Sequence, residues 1–130
     1  MARILIIEDS VTVATMLKRL FERRGHKVFA EHDAESGLAR AREQRPALVV
    51  LDRVLPSMDG VDVCAELKAE DAFKSTRVLM LTATKDDSLD SAAAAAGVDV
   101  LLTKDCGMAR IAEIASGLLA RKAADVSSPG

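Results

Sequence analysis

The chain has 130 residues, of which 49% are hydrophobic and 29% are charged. This length and balance fit one globular domain and argue against both a disordered chain and a membrane-embedded one. The 18 Lys and Arg residues against 20 Asp and Glu residues give a formal net charge of -2, and no basic run is present, so direct nucleic-acid binding is not expected. No signal-peptide core is visible near the start, and we predict a cytoplasmic protein without a membrane partner.

The first half of the chain predicts three strands alternating with two helices. Short aliphatic runs are typical of parallel strands that are covered on both faces, and apolar residues at helical spacing before a glycine or proline indicate helices. The predicted strands are Arg3–Ile7, Lys27–Ala30 and Leu48–Leu51, and the predicted helices run from Ser10 to Gly25 and from about Asp33 toward Gln44.

The second half continues the same alternation. It predicts helices from Gly60 to Leu67, from Asp86 to Ala96 and from about Met108 to Leu118, with strands at Val78–Leu81 and Val98–Leu102. Five strands alternating with five helices indicate an α/β fold, a doubly wound parallel sheet with right-handed crossovers and helices on both faces. We place the domain at residues 1–123 and interpret residues 124–130 as a flexible tail or the start of a linker.

Polar residues follow four of the predicted strands, at the edge where open parallel sheets bind their ligands. They are Glu8 and Asp9 after strand one, Asp52 after strand three, Thr82 after strand four and Lys104 after strand five. If the strand order is 2-1-3-4-5, strands one and three are neighbours. Three carboxylates would then lie together, with a hydroxyl and an ammonium group opposite them.

Such a carboxylate cluster needs positive charge. Two carboxylates about 5 Å apart repel each other by roughly 3 kcal/mol at an effective dielectric constant near 20. An oxygen-only set of ligands suits a hard cation such as Mg²⁺, so we predict Mg²⁺ as the cofactor. Without a metal, like-charged neighbours should raise the pKa of at least one carboxylate.

The same residues are suited to phosphoryl chemistry. An ionised aspartate can attack phosphorus and form an acyl phosphate without a general base. We expect Asp52 to be the nucleophile, Lys104 to offset developing negative charge and the Thr82 hydroxyl to donate to a phosphoryl oxygen.

Four segments carry a family resemblance: the pair Glu8-Asp9, the stretch from Leu51 to Gly60, the step Leu81-Thr82-Ala83 and the triplet Leu102-Thr103-Lys104. In this order, after these strands, they resemble the receiver domain of bacterial response regulators. The resemblance covers essentially the whole chain. It implies a flavodoxin-like sheet of order 2-1-3-4-5 and a place in two-component signalling rather than a conventional enzyme.

The resemblance also implies partners and ligands. A sensor histidine kinase or a phosphotransfer protein would supply the phosphoryl group to Asp52, and a downstream protein would bind the face formed by helix four, strand five and helix five. Asp9 would bind Mg²⁺ directly, Glu8 mostly through water, and the Val54 backbone carbonyl would be a further ligand. Val54 and Thr84 would flank the phosphoryl group. Because Val54 is apolar and cannot orient an attacking water, we expect a long-lived acyl phosphate.

The chain departs from the family pattern at two positions on that face. Leu101 stands where receivers usually carry an aromatic residue, three positions before the lysine, and Asp105 stands where proline, often cis, commonly follows it. A cis bond before a residue other than proline costs about 3 kcal/mol, so we expect a trans Lys104-Asp105 bond and a differently shaped loop. These changes leave phosphate capture intact and indicate an altered switch or an unusual partner.

Three other functions compete with this interpretation. A phosphatase with an aspartate nucleophile would need a second Asp at position 54, where Val54 stands, and a flavin-binding domain would not place acids after strand one. A pseudo-receiver, which keeps the fold but no longer switches, is the stronger rival because of Leu101 and Asp105.

Several residues also have a purely structural explanation. Asp9 or Ser10 could cap helix one, Asp59 is interpreted as a cap, and Pro56 and Gly60 as parts of a tight loop. The remaining candidates are the cysteines Cys64 and Cys106, which we predict to be unpaired, and the histidines His26 and His32, which we predict to be structural or solvated.

Overall fold

Strands and helices alternate along the whole described chain, which in this computed structural model comprises residues 1–127, with side chains through Arg121. The strands are β1 Arg3–Ile7, β2 Lys27–Glu31, β3 Leu48–Asp52, β4 Arg77–Thr82 and β5 Val100–Thr103. The helices are α1 Val11–Glu22, α2 Ala34–Gln44, α3 Gly60–Lys68, α4 Asp87–Ala96 and α5 Met108–Ser127, with short 3₁₀ turns at Asp71–Phe73 and Lys104–Cys106.

The five strands form one parallel sheet in the order β2-β1-β3-β4-β5. Side chains alternate between the two faces, as they must along any strand. In β1, Ile4 and Ile6 join the hydrophobic cluster under α1 and α5, whereas Leu5 and Ile7 join the cluster under α2 and α3. The predicted fold and strand order are confirmed, and the carboxyl ends of β1 and β3 are therefore neighbours.

The start of β5 differs from the prediction, because the strand begins at Val100 rather than Val98. Helix α4 ends at Gly97, whose φ of 98° is left-handed, and the Val98 N–H donates to the Ala93 carbonyl. Val98 thus completes the helix cap. An apolar residue in a helix cap cannot be told from the first residue of a strand by hydrophobicity alone.

Helix α5 continues to Ser127, beyond the predicted domain end at residue 123. Residues 128–130 of the predicted tail lie outside the described residues, so the division into a domain of residues 1–123 and a tail of residues 124–130 stays a prediction. Among residues 1–127, no helix is a candidate for spanning a membrane. The predicted cytoplasmic location stays a prediction.

Candidate functional site

The end of β1 delivers a buried acid to the edge of the sheet. Only 1% of Glu8 is exposed, and its carboxylate oxygen Oε2 accepts a hydrogen bond from the Ser10 N–H at 3.0 Å. Ser10 itself caps α1 by accepting from the Val13 N–H at 3.2 Å, which settles the alternative between Asp9 and Ser10 as the cap. Asp9 is exposed, and its side chain is available to a ligand.

Three carboxylates meet at this edge. One ligand oxygen from each of Glu8, Asp9 and Asp52 lies within 4.8 Å of the other two. Asp52 ends the fully buried strand β3 and is itself 3% exposed. The predicted convergence is confirmed, because β1 and β3 are adjacent parallel strands that end at the same edge.

Lys104 supplies the counter-charge from the far side of the site. Its Nζ lies 3.0 Å from Glu8 Oε1 and 3.1 Å from Asp52 Oδ2, so one ammonium group bridges two buried carboxylates. Partial burial lowers the pKa of Lys104, but the hydrogen bonds to Glu8 and Asp52 outweigh it and the net direction is upward. Lys104 is therefore charged when it contacts the two acids.

The fold disfavours the ionised form of Glu8. Burial, followed by hydrogen bonding with Asp52, raises the pKa of Glu8 from 4.5 to about 7, while the Ser10 N–H and Lys104 oppose that rise. A raised pKa in the metal-free cluster was predicted, but from like-charge repulsion. Burial is the largest cause, because Glu8 is almost completely enclosed, and the neighbouring Asp52 adds to the rise.

The loop after β3 holds the aspartate from the other side. The Val54 N–H donates to Asp52 Oδ1 at 3.2 Å, and the loop closes through a bridge between Val54 and Asp59. Asp59 caps α3 by accepting from the Val61 N–H, as predicted. Gly60 lies so close to this loop that an added Cβ would overlap the Asp52 carbonyl oxygen and approach the Arg53 Cα to 2.8 Å, so the glycine is required for space.

The donor set fits a hard divalent cation. Three carboxylates offer only oxygen, two of them are largely withdrawn from water, and a single ammonium group cannot neutralise three negative charges. The Val54 backbone carbonyl, predicted as a further ligand, lies in the loop after β3, two residues after Asp52. The assignment of these residues as ligands stays a prediction.

Comparison with known proteins identifies the family. The profile of the response regulator receiver domain matches residues 4–116, which is most of the chain. This chain belongs to the response regulator receiver domain family. The predicted receiver domain of two-component signalling is thereby confirmed.

Relatives of this receiver domain differ in length. The chain is 34% identical to protein PilG of Pseudomonas aeruginosa over 103 residues, which cover 78% of this chain and 76% of that protein. It is 40% identical over 87 residues to the transcriptional regulatory protein AfsQ1 of Streptomyces coelicolor, covering 67% of this chain but 37% of that protein. The match to the regulatory protein PhoP of Bacillus subtilis likewise covers 35% of it, so the chain spans about a third of such longer relatives.

A solved structure agrees with the fold. The chemotaxis protein CheY4 of Vibrio cholerae superposes on this receiver domain with a TM-score of 0.87 at 23% identity, covering 91% of this chain and 98% of that one. At this identity the likeness supports the fold alone. The flavodoxin-like arrangement is confirmed by the observed strand order together with this superposition.

The hydroxyl of the receiver domain site is held inside its own loop. Thr82 is 2% exposed, ends β4 beside β3, and its Oγ1 donates to the Thr84 carbonyl at 2.8 Å. Thr82 thus lies at the predicted strand end, with its hydroxyl engaged by the residue predicted to flank the phosphoryl group. Its role toward phosphate stays a prediction.

The two departures from the family pattern have distinct surroundings. Leu101 is half-buried and packs against the hydrophobic cluster under α2 and α3, and its carbonyl accepts from Lys85 Nζ at 3.3 Å. Asp105 accepts from the Thr103 hydroxyl at 2.6 Å in the 3₁₀ turn Lys104–Cys106. No cis peptide bond occurs in residues 1–127, so the predicted trans bond before Asp105 is confirmed.

Sequence reasoning found the charged residues but missed part of their support. Cys64 and Cys106 are free, as predicted; burial raises the pKa of the Cys64 thiol to about 11. The contact between the His32 ring and the Glu8 carbonyl, at 3.0 Å, was not foreseen. No spacing rule joins two residues 24 positions apart on adjacent strand ends.

Proposed function

We propose that this receiver domain is a phospho-acceptor in which Asp52 takes a phosphoryl group from a phosphohistidine on a sensor histidine kinase or a phosphotransfer protein. The observation that carries the proposal is the bridge from Lys104 to both Glu8 and Asp52 within a cluster of three carboxylates. The phosphorylated domain would then signal to a downstream protein, in the cytoplasm.

The chemistry follows from the surroundings of Asp52. One carboxylate oxygen attacks phosphorus, the bond between phosphorus and the donor imidazole nitrogen breaks, and its electron pair leaves with the imidazole. Lys104 lies 3.1 Å from the Asp52 carboxylate, close enough to offset negative charge on a transferred group. The Thr82 hydroxyl would exchange its bond to the Thr84 carbonyl for one to a phosphoryl oxygen.

Glu8, Asp9, Asp52 and the Val54 backbone carbonyl would hold Mg²⁺ in this proposal, with Glu8 acting mostly through water. When bound, the cation neutralises the oxygens of the acidic cluster and of the incoming phosphoryl group. Glu8 and Asp52 are buried, whereas Asp9 is exposed and open to an incoming cation.

The decisive experiment measures the intact mass of the protein after incubation with Mg²⁺ and a small phosphodonor. We expect one added phosphoryl group on the wild type and none on Asp52→Asn. Asp59→Asn is the matched control: it lies in the same loop, and asparagine caps a helix as well as aspartate does, so it should still be labelled. Labelling of Asp52→Asn equal to that of the wild type would reject Asp52 as the acceptor.

A pseudo-receiver is the second candidate, favoured by Leu101 and Asp105 on the face of α4, β5 and α5 that we propose for the downstream partner. A pseudo-receiver would bind its partner equally well with and without phosphoryl transfer. An unlabelled wild type in the mass experiment would support it.

The lifetime of the acyl phosphate depends, in this proposal, on Val54. Val54 is 65% exposed, and its side chain carries no group that could orient a water for attack on phosphorus. We expect Val54→Asn to shorten the half-life of the phosphorylated protein several-fold, about 1 kcal/mol in activation free energy. Measuring the decay of the phosphorylated mass after removal of the donor tests this, and an unchanged half-life would refute it.

A further inference from the structure

The His32 ring is tied to the backbone of the acid pair. His32 follows β2, and its Nδ1 lies 3.0 Å from the backbone carbonyl oxygen of Glu8. A carbonyl oxygen can only accept, so the ring must donate an N–H from Nδ1. His32 is exposed, and its ring contacts the residue that begins the carboxylate cluster.

The His32 ring replaces a backbone hydrogen bond that would otherwise continue the pairing of β1 with β2. The last backbone rung between β1 and β2 runs from the Glu8 N–H to the Glu31 carbonyl at 3.0 Å. In a continued parallel ladder, the N–H of Asp33 would meet the Glu8 carbonyl. Asp33 instead caps α2, as its side chain accepts from the Ser36 N–H at 2.8 Å. The ring of His32 satisfies the Glu8 carbonyl at the point where the segments after β1 and β2 diverge.

This contact acts on the peptide that joins the two metal-binding acids. The Glu8 side chain is already held by the Ser10 N–H and by Lys104. Asp9 is exposed, so the direction of its carboxylate depends on the backbone that carries it. Holding the Glu8 carbonyl fixes the peptide plane before Asp9, and with it the direction of the Asp9 side chain.

We propose that His32 is a positioning residue for divalent cation binding, acting through the Glu8–Asp9 peptide. The inference rests on the proposed function, because it takes Glu8, Asp9 and Asp52 as the cation ligands. It gives a role in cation binding to His32, a residue that the sequence analysis predicts to be structural or solvated. Groups that orient metal ligands typically change metal affinity 10- to 100-fold when removed, and His32 acts through one peptide, so we expect about a tenfold weakening.

The test is a titration with Mn²⁺, an oxygen-binding cation whose binding is followed by the relaxation of water protons. His32→Leu removes the donor and should weaken Mn²⁺ binding about tenfold. His32→Asn should restore it, since the asparagine amide nitrogen branches from the same carbon position as Nδ1. His32→Gln, whose amide lies one methylene further out, should not restore it, and it serves as the second variant if His32→Leu does not fold.

His26→Leu is the matched control, because His26 also holds a backbone group: its Nδ1 accepts from the Ala2 N–H at 3.1 Å, remote from the acid cluster. It should lower the stability to urea, followed by circular dichroism, and leave Mn²⁺ affinity unchanged. A merely structural His32 would behave in the same way, so equal affinities of His32→Leu and the wild type would overturn the inference. A wild type that binds no Mn²⁺ would instead overturn the metal site of the proposed function and this inference with it.

Discussion

Strands β3 and β5 both supply the site, yet they lie in opposite surroundings. All five residues of β3 are buried, and Asp52 is its last residue. All four residues of β5 are only half-buried, and Lys104 follows directly after it. Asp52, the acceptor in the proposed function, thus ends the central strand of the sheet, and its counter-charge follows an edge strand. In the proposed function, phosphoryl capture would depend on a fully buried strand, and the response would depend on a half-buried strand with one neighbour.

A pair of leucines measures this difference directly. Leu51 and Leu101 pack against the same hydrophobic cluster, one fully buried on β3 and the other half-buried on β5. We expect Leu51→Ala to lower the free energy of unfolding by about 3 kcal/mol and Leu101→Ala by about 1 kcal/mol. Urea unfolding followed by circular dichroism gives both values. Equal losses would show that the two strands are equally well packed.

The close approach of α3 to the end of β3 supplies a second test. A methyl group at Gly60 would overlap the Asp52 carbonyl oxygen, so Gly60→Ala must displace the backbone at Asp52. We expect a loss of about 2 kcal/mol in the free energy of unfolding.

Gly117→Ala is the control for that glycine. Gly117 lies on the exposed side of α5 with open space around it, and alanine there should stabilise the helix by about 1 kcal/mol. If Gly60→Ala lowers the free energy of unfolding and Gly117→Ala raises it, the strain lies at the contact between Gly60 and Asp52. If both variants are stabilised, that close contact is contradicted.

The buried acid at the end of β1 predicts an unusual pH dependence of stability in the absence of divalent cations. Unfolded glutamate titrates near 4.5 and Glu8 in the fold near 7, so the folded state holds the proton more tightly. The stabilising contribution is complete below about pH 4.5 and is lost as pH rises through about 7. Between pH 5 and pH 8 we expect the wild type to lose about 2 to 3 kcal/mol.

Glu8→Gln isolates this effect, since glutamine has no proton to release. The difference in unfolding free energy between the wild type and Glu8→Gln should change with pH in the stated window. Saturating Mg²⁺ should reduce the change, because a cation favours the ionised acid. Parallel pH curves for the two proteins would remove Glu8 as the titrating group.

The smallest effect is expected where the border strand departs from the family. Leu101→Phe introduces the missing aromatic residue on β5, away from the carboxylates. The rate of phosphoryl incorporation should change by less than about twofold, or roughly 0.4 kcal/mol. Lys104→Met, three positions further on, should slow incorporation roughly a hundredfold. A large effect of Leu101→Phe on incorporation would show that capture and response are not separated between β3 and β5.

The sequence predicted most of this architecture because its signals are local. Aliphatic runs marked the strands, and the first residues after them were Glu8, Asp9, Asp52 and Lys104, which strand order alone then brought together. Two features escaped because they depend on contacts between distant segments. The burial that raises the pKa of Glu8 arises from packing. The hydrogen bond from His32 to the Glu8 carbonyl depends on where the segments after β1 and β2 diverge.

Lys104 lies far along the sequence from the two acids that it contacts, 96 residues after Glu8 and 52 residues after Asp52. On the ribosome, both acids therefore emerge first, and the partner of their negative charge arrives only with the last strand. A fragment released or cleaved before β5 would keep two carboxylates that burial penalises, without the group that compensates them.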